Sequence, residues 1–227
     1  MTEDSSDHHS IQNLKGVGPK SATSLNNLGI FTIPDAAFHL PFRYEDRSFI
    51  TSIGEANYQT PVLIEGEIMK STVVFRGRRM LFSEIYDGTG RLTMRMFNFA
   101  MAQHKALEEG KMIRCFGTIT PGPKGKQMIH PQYQVFEKDD SIEVEKNLTP
   151  IYPTTSGLQQ NKLKKIIESS LEFCDKNNLL KEESKNKQYS EYGNLLETLK
   201  FLHKPPVETN ISELIEGKHP AQQSLIK

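Results

Sequence analysis

The fold is decided by residues 61–136, which read PVLIEGEIMKSTVVFRGRRMLFSEIYDGTGRLTMRMFNFAMAQHKALEEGKMIRCFGTITPGPKGKQMIHPQYQVF. Strand composition, mostly an alternation of apolar and polar residues, predicts five strands at 62–68, 80–86, 92–99, 112–119 and 127–136. Residues 100–109 lose the period of two and predict a helix. Turn sequences rich in glycine follow the second strand, at 87–90, and the fourth, at 121–125.

Three strands, a helix and two strands in this order are typical of a five-stranded Greek-key barrel of the OB type. We predict an α+β chain in which this barrel occupies residues 58–138. N-terminal helices with a helix-hairpin-helix-like turn precede it at 11–57, and C-terminal helices follow at 159–227. Residues 1–10 are expected to be a disordered tail, and residues 139–158 an extended linker.

The third predicted strand carries candidate contacts for nucleic acid. Alternation gives two faces, one with Leu92, Met94 and Met96, and the other with Thr93, Arg95, Phe97 and Phe99. The first face suits the barrel interior, and the second presents two rings beside an arginine. Aromatic rings next to cations form a stacking platform for single strands, because every base has a π-face and every nucleotide a charge. The alternative is that Phe99 packs under the following helix and that Phe97 belongs to the core.

Two basic loops are predicted beside these rings, at 75–79 between the first two strands and at 121–126 between the last two. In OB folds the loops after strands one and four flank the ligand groove. The predicted phosphate contacts are therefore Arg76, Arg78, Arg79, Arg95, Lys124 and Lys126. Charge placed there only for solubility is the alternative.

The charge is distributed unevenly along the chain. The whole sequence has 28 basic and 28 acidic side chains, but residues 61–136 hold eleven basic and six acidic ones, a net +5. Such local charge, rather than the total, attracts phosphate. The two cysteines, Cys115 and Cys174, give no disulfide framework and no zinc spacing, which favours a reducing cytoplasm.

The sequence has no catalytic motif. It contains no phosphate-binding loop, nucleophile elbow or paired metal ligands, and no apolar run of about 20 residues that would span a bilayer. We therefore expect a binding protein without catalytic residues, metal or cofactor of its own.

A glycine hairpin lies near the start, where residues 14–20 read LKGVGPK. Two short helices around this turn would let backbone N–H groups approach a phosphate at a helix start. Gly16, Gly18 and Lys20 are thus possible phosphate contacts. A hairpin that serves only for packing is the alternative.

Longer motifs resemble the N-terminal part of the bacterial RecG family of ATP-dependent DNA helicases, and the resemblance covers nearly all of the chain after residue 10. The motifs are LKGVGPK (14–20), LPFRYEDR (40–47), DGTG (87–90), RMFNF (95–99), IHP (129–131), YPTTSGL (152–158) and FLHKPP (201–206). The resemblance implies that the barrel is a wedge at the junction of a stalled fork or Holliday junction. It implies that an aromatic ring at Phe97 stacks on a base pair at the branch point, with the template strands on either side. Phe99 joins it as a stacking candidate, and so does Met96, where relatives can carry a second phenylalanine.

The resemblance also implies properties of a whole enzyme. An ATPase motor, with ATP and Mg²⁺, is expected to begin after Lys227 and to drive fork regression and branch migration, whereas this chain alone would be non-catalytic. Its partners would be branched DNA, bound without sequence specificity, and its own motor domains, in a monomer associated with the nucleoid of the bacterial cytoplasm. Two alternatives remain from the residues themselves: an OB module that docks a partner peptide through Phe97 and Phe99, and a generic binder of single-stranded nucleic acid.

Overall fold

The computed structural model describes residues 9–140, 142–180 and 194–225. The chain divides into two compact units, one of residues 1–46 and 146–227 and the other of residues 47–145. The expected disordered tail falls outside the described residues, except for His9 and Ser10.

The elements are short, apart from one long strand and one long helix. The strands are β1 (Arg43–Glu45), β2 (Pro61–Arg76), β3 (Arg78–Tyr86), β4 (Arg91–Met96), β5 (Met112–Thr118), β6 (Thr120–Gly122), β7 (Gly125–Ile129), β8 (Gln132–Phe136) and β9 (Thr149–Ile151). The helices are α1 (Pro19–Asn26), α2 (Ile33–Ala37), α3 (Met101–Ala106), α4 (Gln160–Lys176), α5 (Leu195–His203), α6 (Ile211–Ile215) and α7 (Pro220–Gln223).

The unit of residues 47–145 is built on one sheet with the strand order β6-β7-β4-β3-β2-β5-β8. All its ladders are antiparallel except β4 with β7, which is parallel. The predicted α+β class with a β core is confirmed. The predicted closed barrel of five strands is not what these ladders give, because in the described residues no ladder joins the edge strands β6 and β8. The strand predicted at 127–136 is interrupted at His130, which has φ +48°, and at Pro131, so it becomes β7 and β8.

One face of this sheet carries the core. Its fully buried side chains include Leu81, Ile85, Leu92, Met94 and Ile113. The first four confirm the alternation predicted for the second and third strands. Gly66 of β2 packs directly against β3. A Cβ there would stand 2.8 Å from the main-chain oxygen of Tyr86, so only glycine fits.

The first strand is longer than predicted and ends in a hairpin. β2 and β3 stay paired up to Arg76 opposite Arg78, and Gly77 makes the turn with φ +74°. The expected basic loop at 75–79 is thus the tip of a two-stranded arm. Glycine suits this turn because other residues rarely adopt a positive φ.

The turn after β3 is fixed by Asp87. Its carboxylate accepts hydrogen bonds from the backbone N–H groups of Ile53 (2.6 Å), Thr89 (2.8 Å) and Gly90 (2.9 Å). Partial burial acts to raise the pKa of Asp87, but these bonds outweigh it and the pKa lies below its usual value.

The unit of residues 1–46 and 146–227 combines helices from both ends of the described chain. Residues of α1 and α2 share one core with α4 and α5, through Leu25, Ile33, Leu163, Ile167 and Leu199. These helices were predicted to belong to separate N-terminal and C-terminal segments. The helix predicted before the glycine hairpin is only a 3-10 turn, Ile11–Asn13.

The expected linker at 139–158 also differs from the structure. Within it β9 pairs with β1, and Tyr152 is buried. The Tyr152 hydroxyl donates to Nδ1 of His203 (2.9 Å), and Nε2 of His203 donates to the carbonyl of Ala37 (2.8 Å). Burial lowers the pKa of His203 to about 4, although the bond to Ala37 acts to raise it. The imidazole is therefore neutral near pH 7.

Candidate nucleic-acid interface

Phe97 follows the last residue of β4 and is half-buried beneath two arginines. The guanidinium carbon of Arg78 lies 4.2 Å from the ring centre, and that of Arg95 lies 4.7 Å from it. Arg95 also lies 5.4 Å from the ring of Phe82. Its Nε is buried without a hydrogen-bond partner among the described atoms. Aromatic faces rather than hydrogen bonds at Nε therefore hold this guanidinium.

His130 fixes the backbone at Phe97. The Phe97 N–H donates to Nε2 of His130 (3.1 Å), and the His130 N–H donates to the carbonyl of Arg95 (2.9 Å). The two rings also touch, with 5.5 Å between their centres. Since Nε2 accepts a hydrogen bond, the neutral imidazole carries its proton on Nδ1. The motif IHP contains this histidine, but no role in the interface was predicted for it; the available signal was its place before Pro131, where a strand must break.

Phe99 belongs to a second pair, on the other side of the arm. Arg79 lies 5.1 Å from the Phe99 ring and contacts the sulfur of Met101. Arg78 and Arg79 are consecutive in β3 and therefore point to opposite faces. The rings that they cover lie on opposite sides too, since β4 ends at Met96 and the period of two no longer applies. The sequence had placed Phe97 and Phe99 on one face; in the structure Phe99 packs partly against the core.

The charge of these arginines is not neutralised by any acidic side chain that the structure describes. In the described part of the chain Arg78, Arg79 and Arg95 form no ion pair with an acidic side chain, whereas Arg91 pairs with Glu84 (3.0 Å). Arg76 is opposite Arg78 in the ladder. From Lys70 to Ser83 the sequence has four cations and no acidic residue. The arm thus carries a local positive charge that is available to an anion.

A groove of about 430 Å³ lies on the Arg95 face of the sheet. Phe82, Arg95 and Lys124 are among its lining residues, so the structure brings Lys124 to the same face as Phe97. Lys126 does not join them. Its ammonium donates to the carbonyls of Ile53 (2.6 Å) and Gly54 (2.8 Å).

The structure corrects the role predicted for Met96. Its side chain is 3% exposed and belongs to the core of the sheet. A side chain buried in this way cannot stack on a base, so its predicted role in stacking is wrong. The alternation along β4 had already placed it inside.

The glycine hairpin lies in the other unit. Gly16 has φ +91°, and Gly18 caps α1 with Pro19 as the first helical residue. Both glycines are open to solvent, as is Lys20. Their role as phosphate contacts stays a prediction.

The described residues give little support to metal binding, to a thiol nucleophile or to a membrane-spanning helix. No group of three or more histidine, cysteine or acidic side chains there could hold a metal ion. Burial raises the pKa of the Cys115 thiol to about 12, so this thiol is not a nucleophile at neutral pH. None of the described helices combines the length and apolar character needed to cross a bilayer.

The chain is similar to known proteins over most of its length. The chain matches the RecG wedge domain family over residues 10–174. It is 37% identical over 219 residues to the ATP-dependent DNA helicase RecG of Escherichia coli K12, and 37% identical over 219 residues to that of Haemophilus influenzae. Each alignment covers 95% of this chain and 31% of the relative, so the chain spans about a third of the length of these curated relatives.

A solved structure of RecG bound to a three-way DNA junction has the same fold. Its TM-score is 0.72 at 24% identity, and the match covers 96% of this chain and 29% of that one. The sequence match over most of the chain, together with this fold, places the arm and its arginines within a known domain. The chain therefore belongs to the RecG family and contains its wedge domain.

Proposed function

We propose that this chain binds branched DNA and parts its strands at the β2–β3 arm. One observation carries the proposal: two arginine–aromatic pairs, Arg78 with Phe97 and Arg79 with Phe99, lie on opposite sides of the arm. A strand could follow each side, with its phosphates near an arginine and a base near a ring. The relative solved with a three-way junction supports this choice of ligand.

The physical basis is stacking combined with electrostatics. Base–aromatic stacking contributes ~1–3 kcal/mol per base, which offsets part of the cost of opening a pair. Unpaired arginines supply attraction that is independent of sequence and weakens with salt. Because rings and guanidinium groups on this arm meet base faces and phosphates rather than base edges, we expect selectivity for branch structure and not for sequence.

We also infer the finer fold. β7 and β8 are separated only by His130 and Pro131, so we interpret them as two halves of one bent strand. One half pairs in parallel with β4 and the other pairs with β5. Counting them as one gives the five strands of an OB-type barrel, with β6 as an addition.

At the level of the whole protein we propose the activity of the longer relatives. Motor domains binding ATP and Mg²⁺ would pull duplex against this wedge and so regress stalled forks and migrate Holliday junctions. This chain would supply recognition and strand separation, without hydrolysis, as part of a monomer that acts on the nucleoid in the bacterial cytoplasm. The names of the relatives as ATP-dependent DNA helicases support this proposal.

The test compares a fork, a linear duplex and a single strand of matched length and sequence, by fluorescence anisotropy with the 227-residue chain at several salt concentrations. The expected result is tightest binding to the fork, with affinity that falls steeply as salt rises. Equal affinity for fork and single strand would indicate a generic single-strand binder instead. Binding that hardly changes with salt would indicate apolar docking of a peptide-like ligand.

A further inference from the structure

Phe75, at the tip of the arm, is not explained by packing. It is the most exposed of the large apolar side chains that the structure describes, at 74%. The other phenylalanines around the arm, Phe82, Phe97 and Phe99, each have an arginine over the ring. Among the described side chains no ring or cation contact to Phe75 is present.

The surroundings of Phe75 favour a charged ligand with flat apolar faces. Phe75 is opposite Arg79 in the ladder, and Arg76 and Arg78 are opposite each other beyond it. Three cations thus lie within four residues of an open ring. An apolar peptide would gain from the ring but not from this charge, whereas a nucleotide brings a π-face and an anion together.

The position of Phe75 specifies which base it would meet. If Arg78 and Arg79 guide the two strands along opposite sides of the arm, as the proposed function requires, the tip lies where the strands diverge. Inside a linear duplex the bases are already stacked on each other and offer no face, whereas the last pair at a branch has one face exposed.

We propose that Phe75 is a second base-stacking residue, which packs on the base exposed where the two strands separate. This rests on the proposed function and deepens it by adding a contact at the tip of the arm. Both rings would then contact bases at the branch, Phe97 from one side of the arm and Phe75 from its tip.

The experiment uses the 227-residue chain and forks that carry 2-aminopurine in the branch pair, on one strand or the other. The variants are Phe75→Ala and Phe75→Leu, with Phe49→Ala as the matched control. Phe49 is 59% exposed in the same unit. It lies two residues before Thr51, which hydrogen-bonds to Leu63 near the opposite end of β2.

Phe75→Ala is expected to weaken fork binding about fivefold, the lower end of the range for stacking on one base. It should also remove the change in 2-aminopurine fluorescence that the parent chain produces, and leave duplex affinity unchanged. Phe75→Leu should behave like Phe75→Ala, since it keeps an apolar side chain but has no ring. Thermal unfolding should be unchanged in both, because the side chain is exposed.

Two outcomes would overturn the inference, and they differ in what else they affect. If the parent chain prefers the fork but Phe75→Ala binds it equally well, or loses no more than Phe49→Ala, only the role of Phe75 is wrong. If the parent chain shows no preference for the fork, the proposed function fails together with this inference.

Discussion

Phe97→Ala is the substitution that tests the strand-parting arm most sharply. It removes the ring but keeps the hydrogen bond from the residue-97 N–H to His130, because that bond uses the main chain. The arm, its turn at Gly77 and the arginines remain. A change in DNA binding can then be assigned to the ring.

The expected loss of binding free energy depends on the arginine that already covers the Phe97 ring. Stacking of a base contributes ~1–3 kcal/mol, but a base must first displace Arg78, which lies 4.2 Å from the ring centre. That cation–π contact is worth ~0.5–1 kcal/mol at an exposed site. The difference, taking low with low and high with high, is ~0.5–2 kcal/mol, so fork affinity should fall about two- to thirtyfold.

The assay is fork binding by anisotropy, with thermal unfolding of the same samples and Phe49→Ala as the control. A fork affinity equal to that of the parent chain would refute the stacking role. A large loss of thermal stability would instead mean that Phe97 is a core residue. Removing a ring that is half exposed should change the free energy of unfolding only a little.

The remaining predictions concern stability and are measured by urea unfolding. Gly66→Ala should destabilise the protein by about 2–3 kcal/mol, since the new Cβ would meet a main-chain oxygen. Gly77→Ala has open space around it and should cost only about 1 kcal/mol, through the positive φ alone. Equal losses of stability in the two variants would contradict this. Because His203 is neutral when folded, with a pKa of about 4 against 6.5 when unfolded, the unfolded chain gains protons first as the pH falls. Stability should therefore drop by on the order of 3 kcal/mol between pH 6.5 and 4, and His203→Gln should flatten that drop. Asp87 has a lowered pKa, so its contribution is present above about pH 4 and is lost as the pH falls through the lowered pKa. Asp87→Asn should therefore destabilise at pH 7, and progressively less as the pH falls below about 4.

Much of the sheet could be predicted because its core alternates cleanly. Leu92 and Met94 are buried as the period of two requires. The prediction failed where the strand stopped: β4 ends at Met96, so Phe97 and Phe99 separate to the two sides of the arm. Sequence alternation says nothing about where a ladder of hydrogen bonds ends, since that depends on a partner strand distant in sequence.

The basic residues show the same limit. Arg76, Arg78 and Arg79 were predicted to lie in a loop between the first two strands, around Gly77. In the structure the strands continue to either side of that glycine and form an arm. Lys126 was predicted beside them, but carbonyls of residues 53 and 54 hold its ammonium. Neither the paired strands of the arm nor the partners of Lys126 could be predicted from the neighbouring residues in the sequence.

The helical unit was the least predictable part. Leu25 and Leu163 lie in one core, although the whole of the sheet unit separates them in sequence. Helical periodicity indicated which face of each helix is apolar, but not which helices would share that face. The same holds for His203, whose partners Tyr152 and Ala37 come from distant segments.

The most direct test of the arm as the strand-parting element is photo-crosslinking. Forks would carry 5-iodouracil at one position at a time, along both strands, and mass spectrometry would identify the residue joined to each. Nucleotides at the branch should crosslink to Phe75 and Phe97, and nucleotides further along the two strands should crosslink on opposite sides of the arm. Branch nucleotides that crosslink elsewhere, or two strands that both crosslink on one side, would contradict the account.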